Sequence, residues 1–383
     1  MTHNRKIIYL AGFLFAMPIA LAAYINSSFI ASFIGEQFSG VIYIIGSIFS
    51  VLGLIYGPRI FKNLGGYKFI LYATFLDALS FLVLASTNNK IAIILAFIFG
   101  FCLNTLISFA LDEILKIFSV DGSTGKIRGV YIATTNLAWI LAQIGRGSIL
   151  GSYSFSTIYL VSFFITILFF IVLAFNLYKI TEPKYDTIKN LLYIKKFFKN
   201  KNLFRAYSLT FLLQIFYCWM VIYTPIYLSA HLGFSWKDIG VIFATMLLPF
   251  SFIPFHVGKL SDKVGERKIL MFGFFITAFS TISLFFIKDN ILLIWAFLLF
   301  TTRIGAATVE TMSDSYFFKH IKPENEEYIG VYRSASPVAY IIGPMVAMLF
   351  FSIVPSFNFI YLILGSLMLF GIYIASTISK KDI

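Results

Sequence analysis

The stretch "TIYLVSFFITILFFIVLAFNLY", residues 157–178, runs for 22 positions without a charged side chain. A helix needs about 20 predominantly apolar residues to cross the hydrocarbon core of a bilayer. Lipid offers no partners to backbone N–H and C=O groups, so a segment of this length must satisfy them within a helix. The run is too long and too continuous for the alternating strands of a membrane barrel. It therefore predicts a membrane-spanning helix.

The rest of the chain repeats this signal. With 59% hydrophobic residues, 12% charged residues and a mean hydropathy of +0.88, the 383-residue chain has more apolar surface than a soluble domain could bury. We therefore predict an all-α membrane protein with twelve transmembrane helices. The apolar runs lie near 7–27, 38–58, 68–87, 91–117, 127–150, 156–178, 205–229, 238–257, 269–287, 291–318, 328–353 and 357–379.

The net charge of +13 is unevenly distributed along these runs. If the N-terminus is inside, Lys and Arg gather at the cytoplasmic ends. The exceptions are Lys90, Arg146, Lys237 and Lys288, which we assign to the outer side, and Arg303, which lies within a span. This bias predicts an inner or plasma membrane protein with both termini in the cytoplasm. Because the basic excess reflects topology, the expected surrounding is the lipid bilayer and no nucleic-acid partner is predicted.

The two halves of the chain resemble each other. "GVYIATTNLAWILAQ" from Gly129 recurs as "GVYRSASPVAYIIGP" from Gly330, and "GVIY" at 40–43 recurs as "GVIF" at 240–243. We predict an N-terminal six-helix bundle over 1–178, a cytoplasmic linker over 179–204 and a C-terminal six-helix bundle over 205–383. Because six is even, the repeats are parallel, an architecture typical of one large class of secondary transporters. The basic linker is either an interfacial helix or a solvated connection.

A polar motif interrupts the second half after its second span. The stretch "GKLSDKVGERK" resembles the inner-loop signature of the major facilitator superfamily, with matching residues Gly258, Asp262, Lys263, Gly265, Arg267 and Lys268. The first-half copy, "GPRIFKNLGGYK" from Gly57, departs from the signature. Counted from Gly57, Phe61 occupies the acidic position and the second glycine, Gly65, arrives one residue late.

The resemblance implies the major facilitator fold and transport by rocking of two six-helix halves. It also implies that the motif is part of a cytoplasmic gate. Asp262 is expected to face the N-terminal end of the fifth span near Lys126, where the helix dipole is positive. Arg267 is expected to reach Asp314 near the inner end of the tenth span.

Three ionisable residues lie on one face of the tenth span, because Arg303, Glu310 and Asp314 are spaced by seven and four residues. The resemblance implies that the first, fourth, seventh and tenth spans line the cavity. Our hypothesis is that Glu310 carries a coupling proton while Arg303 tunes it or attracts an anionic substrate group. The alternative is a fixed ion pair that joins helices. Asp314 is interpreted as a gate partner.

Further acidic and polar residues occupy other spans. For Asp112 and Glu113 a structural pairing with nearby basic residues is favoured over substrate contact, and for Asp77 a helix-to-helix hydrogen bond is favoured. Uncharged groups could contact a sugar, a nucleoside or another small polar molecule. These candidates are Tyr24, Asn26, Asn136, Gln143, Gln214 and Tyr217. Ordinary interhelical hydrogen bonding remains open for each of them.

The function predicted from these features is secondary active transport of a small organic solute, coupled to protons and carried out by a monomer. No metal-ligand spacing appears among the histidines and cysteines, so no metal or cofactor is predicted beyond a coupling proton or another ion. The alternatives are a facilitative uniporter of a sugar-like solute and a drug or lipid exporter. From a different class, a polytopic membrane enzyme would need a clustered catalytic pair, and none is visible.

Overall fold

The computed structural model describes residues 2–118, 124–176, 192–321 and 327–378. Over these ranges the chain is almost wholly helical and contains no strand. It divides into two compact units, residues 1–188 and 189–383. Within the described residues, 11 helical segments are long and apolar enough to cross a membrane. The predicted all-α membrane fold is confirmed.

In the described part of the first unit the α-helices are α1 (Thr2–Ala23), α2 (Asn26–Ile34), α3 (Ser39–Leu64), α4 (Gly66–Ser86), α5 (Lys90–Phe118), α6 (Thr124–Leu150) and α7 (Phe155–Asn176), with a short 3-10 helix over Glu36–Phe38. Helices α1 and α2 together form the first span, interrupted at Tyr24 and Ile25. Helix α1 packs on α6 and α7, α4 packs on α5 and α7, and α3 packs on α5. A hydrophobic core that includes Ile8, Ile107 and Leu173 lies among these helices.

Helix α6 is the predicted fifth span, although it is not among the 11 apolar segments. Its 27 residues reach about 40 Å at about 1.5 Å per residue, enough to cross a bilayer. Its lower apolarity has a clear origin, because Asn136, Gln143 and Arg146 lie within it. With α6 included, the described helices account for all twelve predicted spans.

The second unit begins with the short helix α8 (Leu192–Lys199). The remaining helices are α9 (Lys201–Ile226), extended by a π-helical turn over Tyr227–His231, α10 (Trp236–Leu247), α11 (Pro249–Val264), α12 (Glu266–Phe286), α13 (Leu292–His320), α14 (Glu327–Arg333), α15 (Ala335–Phe351) and α16 (Phe359–Ser376). Two spans are divided. The α10–α11 break precedes Pro249, which lacks the N–H that a continuous helix would use. The α14–α15 break lies at Ser334.

The packing of the second unit repeats that of the first. Helix α9 packs on α15 and α16 as α1 packs on α6 and α7, and α12 packs on α13 and α16 as α4 packs on α5 and α7. Helices α10 and α11 pack on α13 as α3 packs on α5. Each unit therefore has the same six-span topology, which confirms the predicted repeat.

The repeat also corrects the predicted register of the first-half motif. Gly65 and Gly265 have nearly the same backbone conformation, with φ values of 81° and 82°, a region open mainly to glycine. Helices α4 and α12 follow them directly. Gly65 therefore stands in register with Gly265, and the early residue is Gly57. Counted from Gly65, the position of Asp262 is taken by Lys62 and not by Phe61.

Helix α8 lies within the predicted linker of residues 179–204, of which residues 179–191 fall outside the described ranges. It packs against α9 and α14. Phe197 is fully buried, with its ring 5.5 Å from that of Tyr328 and 6.4 Å from that of Phe317. The Phe197 ring therefore anchors this basic helix to α9, α13 and α14.

Candidate functional site

The three ionisable residues of the tenth span lie on α13, which packs on α9, α10, α11 and α12. Arg303 and Glu310 are separated by seven residues, or about 10 Å along the helix axis. Asp314 follows one turn later, toward the end of α13. The helix that carries these three residues is therefore packed by helices of its own unit.

Arg303 is buried among aromatic rings of α9. Its side chain is 1% exposed, and its guanidinium carbon lies 4.9 Å from the ring centre of Phe216 and 5.4 Å from that of Tyr217. Aromatic faces attract a guanidinium, and the attraction grows when water is excluded. In the described part of the chain no carboxylate oxygen lies within 4.0 Å of this guanidinium. The fixed Arg303–Glu310 ion pair considered above is thus not formed.

Glu310 is instead held by a neutral group. The Tyr217 hydroxyl donates a hydrogen bond to Glu310 Oε2 over 2.8 Å. Gln214, one turn before Tyr217 on α9, is half-buried, as is Glu310. The structure therefore brings together three of the predicted residues, because Tyr217 contacts both charged ones: its ring faces Arg303 and its hydroxyl binds Glu310.

Asp314 has partners that the sequence did not suggest. The Tyr332 hydroxyl donates to Asp314 Oδ1 over 2.8 Å, and Arg333 Nη2 lies 3.7 Å from Asp314 Oδ2. Tyr332 also shares a hydrogen bond with Thr210 of α9. The expected Arg267 pairing is not found: Asp314 is joined to α14, because the end of α14 lies beside α13. Arg267 is half-buried at the start of α12.

The motif residue that does bind α13 is Glu266, which had not been singled out. Its side chain is 1% exposed and forms an ion pair with Lys319, while Ser315 donates to its Oε1 over 3.3 Å. Of the matched motif residues, Gly258 is half-buried, and Lys263 and Lys268 are exposed. The side chain of Asp262 lies outside the described part, so its contact with the fifth span stays a prediction.

Replacing Lys319 with methionine should destabilise the protein by about 2 kcal/mol, because the buried Glu266 carboxylate would lose its cation. The loss should stay below that of a fully buried pair, because Lys319 is 48% exposed and water reaches it. Thermal unfolding in detergent measures the effect. Lys268→Met, at an exposed position of the same motif, is the control and should melt like the wild type. Equal melting of both variants would contradict the role of the pair.

In the first unit, the predicted residues Tyr24 and Gln143 meet at the α1–α6 interface. Gln143 Nε2 donates to the carbonyl of Ala20 over 3.3 Å, and the rings of Tyr24 and Trp139 meet edge to face. Arg146 joins them, with its guanidinium carbon 5.4 Å from the ring centre of Tyr24. The side chain of Arg146, four residues before the end of α6 at Leu150, is fully buried, which its assignment to the outer side of the membrane did not predict.

The other polar candidates of the first unit are dispersed. Asn26 Oδ1 accepts a hydrogen bond of 2.8 Å from the Tyr159 hydroxyl, which ties α2 to α7. Asn136 is half-buried on α6, and Asp112 is exposed near the end of α5. The side chain of Glu113 lies outside the described part. Among the described residues, the hydrogen bonds of Asn26 and Gln143 do not bring Asn26, Asn136 or Asp112 into one cluster with Tyr24 and Gln143.

The helix-to-helix hydrogen bond predicted for Asp77 is not found among the described residues. Its side chain is 2% exposed on α4, and its Oδ1 has no hydrogen-bond partner among the described residues. The hydroxyl of the neighbouring Ser80 donates to the backbone carbonyl of Leu76 on the same helix. Gly100, on the facing helix α5, has no side chain that could donate to Asp77. No group of three or more metal-ligating side chains gathers within the described ranges.

Residues 221–381 match the family model for the Major Facilitator Superfamily. No curated protein sequence matches the chain significantly. Among solved structures, the nucleoside transporter NupG is similar with a TM-score of 0.77 and 13% identity, over 97% of this chain and 99% of that one. The POT family transporter PepTSo is similar with a TM-score of 0.79 and 10% identity, over 98% and 97%.

A bacterial homologue of the human lysosomal transporter Spinster is similar with a TM-score of 0.73 and 12% identity, over 98% of this chain and 93% of that one. At such low identity these likenesses show the fold, which extends over nearly the whole chain in each case. The sequence match to the family model lies within the second unit. The chain is thus similar in fold to these transporters, and part of its second unit is similar in sequence to the Major Facilitator Superfamily.

Proposed function

We propose that the protein moves a small organic solute across the membrane by alternating access, coupled to protons that Glu310 carries. We further propose that it works as a monomer in an inner or plasma membrane with both termini in the cytoplasm. Its partners in the cycle are then the solute, the proton and the lipid bilayer, without a cofactor. Transport, not catalysis, is the activity that the superfamily and the fold support.

The environment of Glu310 carries this proposal. The carboxyl lies in a membrane-spanning helix, has one hydrogen bond from Tyr217, and has no basic nitrogen within 4.0 Å among the described residues. A charge in such a place is costly, and protonation removes it. A carboxyl that is not committed to an ion pair can take up a proton when its surroundings close and release it when water enters.

Proteoliposomes test the proposal with a broad panel of labelled metabolites and an imposed inward pH gradient. We expect the wild type to accumulate at least one solute only when the gradient is present. Glu310→Gln should abolish this accumulation, because an amide cannot cycle a proton, yet it should retain exchange of solute without a gradient. Asp289→Asn, at an exposed position between α12 and α13, is the control and should behave like the wild type.

Equal downhill flux through the wild type and Glu310→Gln, unaffected by the gradient, would contradict the proposal. That result would make the protein a facilitative uniporter of the kind expected for a sugar-like solute. Loss of exchange as well as accumulation in Glu310→Gln would also count against a proton-carrying role, since the residue would then be needed for solute binding or folding itself.

A further inference from the structure

The surroundings of Arg303 favour one chemical class of solute. Two aromatic side chains of α9 cover the guanidinium, and the side chain is 1% exposed. Rings placed over a guanidinium interact with its π face and leave its N–H edge for hydrogen bonds. The edge is therefore the part of Arg303 that can recognise another group.

One nitrogen of that edge has no acceptor among the described residues. Arg303 Nη1 is buried and has no hydrogen-bond acceptor among the described residues, although a guanidinium is charged at every physiological pH. Glu310, the nearest acid along α13 toward its C-terminal end, accepts its hydrogen bond from Tyr217. A buried charged donor without an acceptor is unfavourable. An acceptor group on the solute should therefore contribute more binding free energy here than at an exposed arginine.

We infer that the transported solute is an organic anion whose carboxylate or phosphate oxygens pair with Arg303. The inference rests on the proposed function, because it takes Arg303 and Glu310 to serve one solute site. An anion matches the site better than a neutral polar molecule, since the guanidinium has donors only and a full positive charge to compensate.

The inference also gives Tyr217 a positioning role. Its ring touches the Arg303 guanidinium and its hydroxyl holds the Glu310 carboxylate. An anion that draws Arg303 away from the ring would act on the proton carrier through this one side chain. Solute binding and proton release would then be linked within α9 and α13 of the second unit.

Thermal unfolding of the purified full-length protein in detergent tests the inference with matched pairs of probes. The pairs are glutamate and glutamine, nicotinate and nicotinamide, uridine monophosphate and uridine, and glucose 6-phosphate and glucose, all at constant ionic strength. We expect at least one anion to raise the melting temperature while its neutral partner does not. In Arg303→Gln the affinity for that anion should fall by about 30-fold or more.

Two further variants keep the result interpretable. Arg303→Lys keeps the charge without the planar fork and should bind the anion more weakly than the wild type, which covers the case that Arg303→Gln does not fold. Arg205→Gln removes a guanidinium elsewhere on α9, where it hydrogen-bonds to Thr377 and Asn202, and should leave the anion effect unchanged.

The inference is overturned if no anion in the panel gives an Arg303-dependent rise in melting temperature, or if the neutral partners raise it equally. It is also overturned if only phosphatidylglycerol added in mixed micelles raises the melting temperature, because Arg303 would then bind a lipid headgroup. Because this assay measures binding without a gradient, its outcome does not depend on proton coupling. Failure of Glu310→Gln to affect accumulation would therefore reject the coupling role, while anion binding would be decided separately.

Discussion

The Gly305→Val variant is expected to lose the fold of the second unit. A Cβ atom at Gly305 would lie 2.6 Å from both the carbonyl oxygen of Gly273 and the backbone nitrogen of Thr277. Both are backbone atoms of α12, so the contact can be relieved only by separating α12 from α13. We expect a loss above about 4 kcal/mol, at the extreme of single substitutions, seen as aggregation or a large fall in melting temperature.

The control for this prediction is Gly145→Val on α6. A Cβ at Gly145 meets nothing within 4 Å, and valine has a slightly higher helix propensity than glycine, so this variant should melt close to the wild type. Melting of Gly305→Val at the temperature of the Gly145 variant would show that α12 and α13 do not approach as closely as described. The comparison therefore tests the helix packing that positions Arg303 and Glu310.

The second large effect is expected at the linker helix. Phe197→Ala should destabilise the protein by about 3 kcal/mol, because it removes a fully buried ring from between α8, α9, α13 and α14. The neighbouring Phe198 is 40% exposed, so Phe198→Ala should cost much less. Unfolding monitored by tryptophan fluorescence compares the two variants directly.

An equally small effect of Phe197→Ala and Phe198→Ala would contradict the packing of α8 against the other helices of the second unit. Helix α8 would then fit the alternative of an interfacial helix on the membrane surface. A selective effect of Phe197→Ala has a further consequence. The same aromatic cluster includes Phe317, which stacks on Tyr332 with ring centres 4.0 Å apart, and Tyr332 binds Asp314. The linker helix would then help to position the C-terminal end of α13.

The number of spans and the internal repeat were predictable because they depend on local properties. Apolar length alone identifies a membrane helix, and turn glycines such as Gly265 mark the loops between helices. Even α6, which is less apolar, was recognisable from its resemblance to the stretch that begins at Gly330. The stripe of Arg303, Glu310 and Asp314 was predictable for the same reason, since helical spacing places such residues on one face.

The partners of those residues were not predictable. Arg303 meets Phe216, Asp314 meets Tyr332, and the buried motif acid Glu266 meets Lys319, each through a contact between different helices. Burial of Arg146 was missed because a basic residue near a span end usually reaches the aqueous side.

The sequence by itself determined the membrane class, the twelve spans, the two similar halves and the position of the charged stripe. Tertiary structure alone decided which helix faces meet and therefore which groups are paired. The physical reason is that lipid and protein core are both apolar, so hydrophobic periodicity carries little information about facing. Polar contacts between spans depend on helix rotation and depth, which appear only when the helices are packed.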